Sequence, residues 1–200
     1  MSDGSAETRT EIMEATYRAL CEQGYADLTM QDIADEVGKS TSLLHYHFDT
    51  KEDLLVAFIG FLIEEFEGKR GENAAEPADV RLREFVDWFV FSPTDDRAAF
   101  HIALLELRSQ APFTEAYREQ LVRSDELVRE TIVGIVEDGI ESGVFRADAD
   151  PDAISRLVFA TMDGARIRQA TLAEDGYAAA VRDALYEHVL DDLVVSGAGE

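Results

Sequence analysis

The 200-residue chain has few of the features that mark secreted, membrane-spanning or metal-binding proteins. A single cysteine, Cys21, excludes an intrachain disulfide and fits a reducing compartment. No run of about eighteen uncharged apolar residues occurs, which excludes a membrane-spanning helix. The first residues are acidic and lack the apolar centre of a signal peptide. We therefore expect a cytoplasmic protein that makes no contact with a membrane.

Proline is also scarce, with four in the chain, and no strand-like alternation of apolar and polar residues stands out. This favours an all-α fold with about nine helices. The spacing of apolar residues, prolines and glycines predicts the later helices at roughly 78–91, 93–110, 112–142, 151–172 and 175–195. Pro93, Pro112 and Pro151 are each expected in the first turn of a helix. Gly143 is expected to end the long helix, Gly71–Ala78 to form a loop and Gly197–Glu200 a frayed tail.

Catalytic and metal-binding patterns are missing as well. Four histidines, one cysteine and no glycine-rich phosphate loop leave no recognisable catalytic arrangement, so we expect no enzyme and no cofactor. His45 and His47 are two residues apart on a short helix and point to different faces, which makes them a poor pair of metal ligands. The scattered carboxylates of so acidic a chain carry no specific signal.

Basic residues are outnumbered by acids, 18 to 42, which gives a net charge of −24. Such a charge repels nucleic acid and is typical of an acidic protein-interaction module. A second interpretation is a cell with molar internal salt, where the Debye length falls to about 3 Å and self-repulsion becomes tolerable. The excess of arginine over lysine and the even spread of the acids fit this halophilic interpretation.

Residues 29–48 have the pattern of two short helices joined by a tight turn. Thr29, with Asp32 three residues later, predicts a capped helix start, and Gly38 is typical of a helix end. Ser40 predicts the next helix start only two residues later, so the turn must be sharp. In the second helix, Leu44 and Phe48 are expected to point inward. This is the spacing of a helix-turn-helix that binds DNA in the major groove.

The outward face of the second helix carries hydroxyls, imidazoles and a phenol, which suit a polar partner with hydrogen-bonding edges. We expect Thr29, Tyr46, His47 and Lys51 to hold phosphates. Thr41, Ser42, Leu43 and His45 would face the bases, with Leu43 available to a thymine methyl group. The candidate residues for binding double-stranded DNA are Thr29, Gln31, Lys39, Ser40, Thr41, Ser42, Leu43, His45, Tyr46, His47 and Lys51.

At this point the chain resembles a known family: Glu11–Leu55 is similar to the N-terminal DNA-binding region of TetR-type transcriptional regulators. The resemblance rests on one ungapped block whose matching residues are Ile12, Ala15, Ala19, Leu20, Gly24, Tyr25, Leu28, Thr29, Ile33, Ala34, Val37, Gly38, Ser40, Leu44, Tyr46, His47, Phe48, Lys51, Leu54 and Leu55. Lys39 and Leu43 depart from the family pattern beside the reading helix, so the operator sequence cannot be carried over. The resemblance implies a DNA-binding domain at 6–56 and a helical effector-binding and dimerisation domain at 57–196.

The resemblance also implies a homodimer built from the last two long helices, and apolar stripes in that region agree with it. A two-fold dimer places two reading helices one or more DNA turns apart and predicts a near-palindromic operator. The alternative is that these stripes pack only within the core of a single chain and form no interface. The predicted interface residues are Leu157, Thr161, Gly164, Ala165, Val181, Leu185, His188 and Val189.

For a ligand, the resemblance implies a small molecule bound among the middle helices, and residues 92–190 look most like the branch containing choline-responsive repressors. Aromatic side chains suit a quaternary ammonium ion, whereas Arg166 would equally suit a carboxylate or an acyl-CoA phosphate. The candidate ligand residues are Trp88, Phe91, His101, Phe113, Tyr117, Met162 and Arg166. The expectation is a ligand-responsive repressor; the alternative is an acidic interaction module that has this fold and no longer binds DNA.

Overall fold

The computed structural model describes residues 3–69, 74–91 and 97–195, and helices make up most of that part of the chain. Its α-helices are α1 (Asp3–Asp27), α2 (Met30–Val37), α3 (Thr41–His47), α4 (Lys51–Lys69), α5 (Ala78–Phe91), α6 (Arg97–Ser109), α7 (Glu115–Glu141), α8 (Pro151–Leu172) and α9 (Tyr177–Leu185). A π-helical turn, Tyr186–Leu190, follows α9. Within these residues the β-type pairing is one antiparallel bridge, Phe145 to Val194. The predicted all-α fold with about nine helices is confirmed.

Short polar side chains and glycines start and end the helices where the sequence predicts. Thr29 caps α2, and Gly38 ends it in the left-handed region at φ 66° and ψ 33°. Ser40 caps α3. Pro151 lies in the first turn of α8, as the sequence predicts, and the structure adds a cap there, since Asp150 accepts a hydrogen bond from the Ala153 amide.

Some predicted helix ends are wrong. The helix expected from residue 112 begins at Glu115, because Gln110–Thr114 instead form turns in which the amides of Phe113 and Thr114 donate to the Gln110 carbonyl. The last helix, expected over 175–195, begins at Tyr177 and is α-helical only as far as Leu185. Three predictions fall wholly or partly outside the described residues. They are the first helical turn at Pro93, the tail at Gly197–Glu200 and the first part of the loop at 71–78.

Two compact units make up the chain. The first contains residues 1–68 and 95–124, where α1 packs mainly on α6 and α2. Its core is apolar and almost fully buried, and includes Ile12, Leu20, Leu28, Ile33, Leu44, Leu54 and Phe58. This core is what holds the helix-turn-helix. The predicted functional boundary between residues 56 and 57 stays a prediction.

The second unit contains residues 69–94 and 125–200, with α8 packed on α9 and on α5. Its buried residues include Leu82, Val86, Ile132, Val136, Phe145 and Val158. Phe145 packs against the backbone of α7 at Gly139, where an added Cβ would lie 2.1 Å from the aromatic ring. Only glycine leaves room for the ring at that point, so this close approach fixes the turn that follows α7.

Candidate nucleic-acid interface

The turn between α2 and α3 is short because a helix end and a helix start almost coincide. Gly38 ends α2 and Ser40 begins α3, so Lys39 alone separates the two caps. Ile33 and Leu44 are fully buried and anchor one helix each in the core of the first unit. The two helices are thereby held as a rigid pair.

Four of the predicted DNA-binding residues are used to order this pair. The Thr29 hydroxyl donates to the Asp32 carboxylate at 2.5 Å and accepts from the Asp32 amide at 3.2 Å. These hydrogen bonds hold the pKa of Asp32 below its usual range. Across the turn, the Thr41 hydroxyl donates to Gln31 Oε1 at 2.9 Å, and Ser40 Oγ accepts from the amide of Leu43. These side chains fix the angle between α2 and α3.

The two predicted cationic contacts also have partners within the protein. Lys39 Nζ lies 2.7 Å from a carboxylate oxygen of Glu11 on α1. Lys51 Nζ donates to the carbonyls of Leu28 at 2.9 Å and Tyr25 at 3.3 Å. Whether either lysine also reaches a phosphate remains a prediction. Both contacts tie the helix-turn-helix to the rest of its unit.

The remaining predicted contacts form the outward face of α3. Ser42, His45 and Tyr46 are exposed, and Tyr46 is 82% exposed although its ring is large. Leu43 and His47 are half-buried, and the His47 ring meets the Tyr46 ring edge-on at 5.2 Å. We call Ser42, Leu43, His45, Tyr46 and His47 the reading face. It presents donors, acceptors and one apolar side chain, which is what base edges and phosphates require.

In the described part of the chain, the arginines leave little unpaired positive charge on the surface, because many of them form ion pairs with acidic side chains of the same unit. Arg18 meets Glu36 at 2.5 Å on the flank of the helix-turn-helix. In the second unit, Arg81 meets Asp138 at 2.8 Å and Arg129 meets Asp152 at 3.0 Å. These pairs are partly exposed to solvent, so each contributes little stability. They do neutralise charge that a DNA-binding protein often directs at phosphates.

The predicted ligand residues are divided between the two units. In the second, Arg166 lies 4.3 Å above the Phe89 ring and pairs with Asp163 at 2.6 Å. Phe89 continues a chain of rings, 6.0 Å from Phe159 and 6.3 Å from Phe85. Met162 is buried, Trp88 is 37% exposed, and Phe91 lies below the Arg182 guanidinium. Sequence reasoning missed the part played by Asp163.

In the first unit lie the other three predicted ligand residues. His101 is 7% exposed and Tyr117 is fully buried, whereas Phe113 is 84% exposed. Burial raises the pKa of the Tyr117 phenol. Within residues 3–69, 74–91 and 97–195, no atom meets the geometric limits for a hydrogen bond to its hydroxyl or to Oε1 of Gln120, one turn further along α7.

The predicted dimer residues fall into three classes of burial. Ala165 and Leu185 are buried in the core of the single chain. Leu157, Gly164 and His188 are exposed, and the remaining predicted residues, Thr161, Val181 and Val189, are half-buried. Leu157 is 51% exposed, which is high for a leucine in the middle of a long helix.

Residues 3–69, 74–91 and 97–195 contain neither a metal-binding cluster nor a helix able to cross a membrane. Among them, no three histidine, cysteine, aspartate or glutamate side chains are grouped so that they could hold a metal ion. No helix in those ranges combines the length and the apolar character that crossing a bilayer demands.

Comparison with known proteins matches both parts of the chain. Residues 12–58 match the family of bacterial regulatory proteins of the tetR type, and residues 78–194 match the C-terminal region of BetI-type transcriptional repressors. The transcriptional regulator BetI of Rhizobium meliloti is 30% identical over 167 residues, which cover 80% of this chain and 77% of that protein.

Solved structures of transcriptional regulators share the fold of this chain. A TetR transcription regulator from Haloarcula marismortui is 40% identical, with a TM-score of 0.83 over 95% of this chain and all of the other. A transcriptional regulator from Saccharomonospora viridis, solved in complex with choline, is 24% identical with a TM-score of 0.82, over 95% of this chain and 99% of the other. At that identity the second likeness concerns the fold alone.

Proposed function

Because the chain belongs to the TetR family of transcriptional regulators, we propose that it is a homodimeric repressor released from a near-palindromic operator by a small molecule. The family consists of DNA-binding regulators and not of enzymes. The observation that carries the proposal is the reading face on α3, whose Tyr46 is 82% exposed beside exposed Ser42 and His45. Such a protein acts on DNA in the cytoplasm.

The acidity of the chain supports a particular mode of DNA binding. With a net charge of −24 and both motif lysines engaged by protein groups, counterion release can contribute little affinity. Hydrogen bonds and shape then carry the binding. We propose a cell with molar internal salt, because a net charge of −24 is tolerable where the Debye length falls to about 3 Å. The expected slope of log affinity against log salt is much shallower than the roughly −5 to −9 of a protein with six to ten phosphate contacts.

The dimer proposal rests on a stripe of small and apolar side chains that α8 and α9 leave exposed. On α8 these are Ala153, Leu157, Ala160 and Gly164, and on α9 Ala180 and Ala184, with His188 beyond. Each stripe follows the three- and four-residue spacing of one helix face. An exposed apolar face on two packed helices is a common mark of a protein–protein interface, and small side chains let two backbones approach closely.

For the effector we propose a quaternary ammonium compound of the choline type. The match of residues 78–194 to BetI-type repressors and the choline-bound structure support this class. The rings of Phe85, Phe89 and Phe159 supply π faces in the same unit. Arg166 is already paired with Asp163 at 2.6 Å, so an anionic effector would have to displace a carboxylate. Choline should therefore release operator DNA, whereas its neutral isostere 3,3-dimethylbutanol should not.

The experiment that tests DNA binding replaces Tyr46 by alanine. We expect the affinity of the protein for DNA from upstream of its own gene to fall about tenfold or more, the effect of losing a phosphate contact worth about 1.4 kcal/mol or more. Val122→Ala, at a 50% exposed position on α7, is the matched control and should leave affinity unchanged. A folded wild-type protein that binds no DNA at any salt would favour the acidic interaction module instead.

A further inference from the structure

The corner between α1 and α2 contains a break in the helix. Gly24 has φ 72° and ψ 169°, a conformation almost confined to glycine. The chain resumes one helical turn after it, closed by the Leu28 amide donating to the Gly24 carbonyl. Thr29 then caps α2. The direction in which the helix-turn-helix leaves α1 is therefore set within residues 24–28.

A break of this kind leaves the amide of Tyr25 at the start of a new turn, without a partner along the helix. The structure supplies one from a distant part of the chain. Glu106 Oε2 on α6 accepts from the Tyr25 amide at 2.7 Å. The missing side chain at Gly24 makes the approach possible, since a Cβ there would lie 3.1 Å from the same oxygen.

Other elements of the unit meet the same residue. Lys51, at the start of α4, donates to the Tyr25 carbonyl at 3.3 Å and lies 4.9 Å above the Tyr25 ring. Tyr117 on α7 meets that ring edge-on at 6.4 Å. Tyr25 is thus held through its amide by α6, through its carbonyl by α4 and at its ring by α7. Of these contacts, only that of Glu106 satisfies a group that the break has exposed.

We propose that Glu106 is a positioning residue for operator binding: its carboxylate fixes the α1–α2 corner and so the orientation of the reading face. The inference rests on the proposed DNA binding. Glu106 itself need not touch DNA. Its action runs through the Tyr25 amide to Leu28 and Thr29, and from there to α2 and α3.

The test compares Glu106→Leu with Glu106→Gln. Leucine removes the acceptor, whereas glutamine keeps an oxygen that can accept from the Tyr25 amide. We expect Glu106→Leu to weaken operator binding about tenfold, as loss of one charge-assisted hydrogen bond implies, and Glu106→Gln to restore it to within about threefold. Glu115→Leu, which removes the exposed carboxylate paired with Arg118, is the control and should bind as the wild type does.

Hydrogen exchange without DNA provides a readout that does not depend on the proposed function. The Tyr25 amide should exchange faster in Glu106→Leu and not in Glu106→Gln. Faster exchange at Tyr25 with unchanged operator affinity would overturn the positioning role, and so would equal loss of affinity in both variants. A wild-type protein that binds no operator overturns the proposed function and this inference together, even if exchange at Tyr25 still responds to residue 106.

Discussion

Replacing Thr29 by valine removes a hydroxyl that makes two hydrogen bonds at the start of α2. The hydroxyl donates to the Asp32 carboxylate at 2.5 Å and accepts from the Asp32 amide at 3.2 Å. Valine has the same shape and keeps the methyl contacts, so the variant isolates the hydrogen bonds. Loss of such a cap costs about 1 kcal/mol, which lowers the Tm of a chain of this size by about 2–4 °C.

The chain offers a matched control at the start of α4. Thr50 and Asp53 form the same arrangement, with hydroxyl to carboxylate at 2.7 Å and amide to hydroxyl at 3.1 Å. Thr50→Val should therefore lower Tm by a similar amount. If the Thr29 hydroxyl serves the cap alone, both variants should lose operator affinity equally. A larger loss for Thr29→Val would show that this hydroxyl redirects its single proton from Asp32 to a phosphate in the complex, in line with the phosphate contact that the sequence predicts.

The pH dependence of Tm provides a second test of the same cap. Hydrogen bonds from Thr29 lower the pKa of Asp32 from its usual 3.8. A lowered pKa in the folded state stabilises the fold above 3.8, and this contribution disappears as the pH falls through the folded-state value. The difference in Tm between wild type and Thr29→Val should thus be full at neutral pH and shrink below pH 3.8. A Tm that Thr29→Val leaves unchanged at neutral pH would refute the reasoning.

Substitutions at three further positions test the fold and the dimer. Gly38→Ala should cost about 1–2 kcal/mol because its φ is 66°, while among the described residues an added Cβ would meet no atom within 4 Å apart from the adjoining backbone. Gly38→Asn should cost less, and equal unfolding midpoints for the alanine and asparagine variants would contradict this. Gly139→Ala should lower the midpoint more than Gly38→Ala, since its Cβ would lie 2.1 Å from the Phe145 ring; a smaller loss would show that the ring moves aside easily. Leu157→Glu should convert a dimer of twice 22.2 kDa into the 22.2 kDa chain in sedimentation equilibrium, unless the exposed face of α8 lies outside the interface.

Local signals were enough to predict most helix starts and ends. Thr29, Gly38 and Ser40 act through neighbours three or four residues away, and such spacing can be read directly from a sequence. The wrong start at residue 112 has the same origin: a proline tolerates the first turn of a helix but equally tolerates the turn that the chain forms there.

The polar part of the site was harder to predict, because its partners are distant in sequence. The outward face of α3 follows from helical periodicity, and the exposure of Ser42, His45 and Tyr46 agrees with it. That Lys51 is directed at the Leu28 carbonyl, and Glu106 at the Tyr25 amide, depends on packing between elements 23 and 81 residues apart. Gly24 is the local feature that accompanies this contact, because the break there leaves the Tyr25 amide without a partner along the helix.

Selection from random duplex DNA tests the central claim most directly, because it requires no knowledge of the target gene. The purified protein and Tyr46→Ala would each be used to enrich sequences at about 0.2 M and about 2 M KCl. The account predicts that the wild type enriches a near-palindromic motif at both salt concentrations, with half-sites one or more helical turns apart, and that Tyr46→Ala enriches it far less. A folded wild-type protein that enriches no sequence at either concentration would contradict the account.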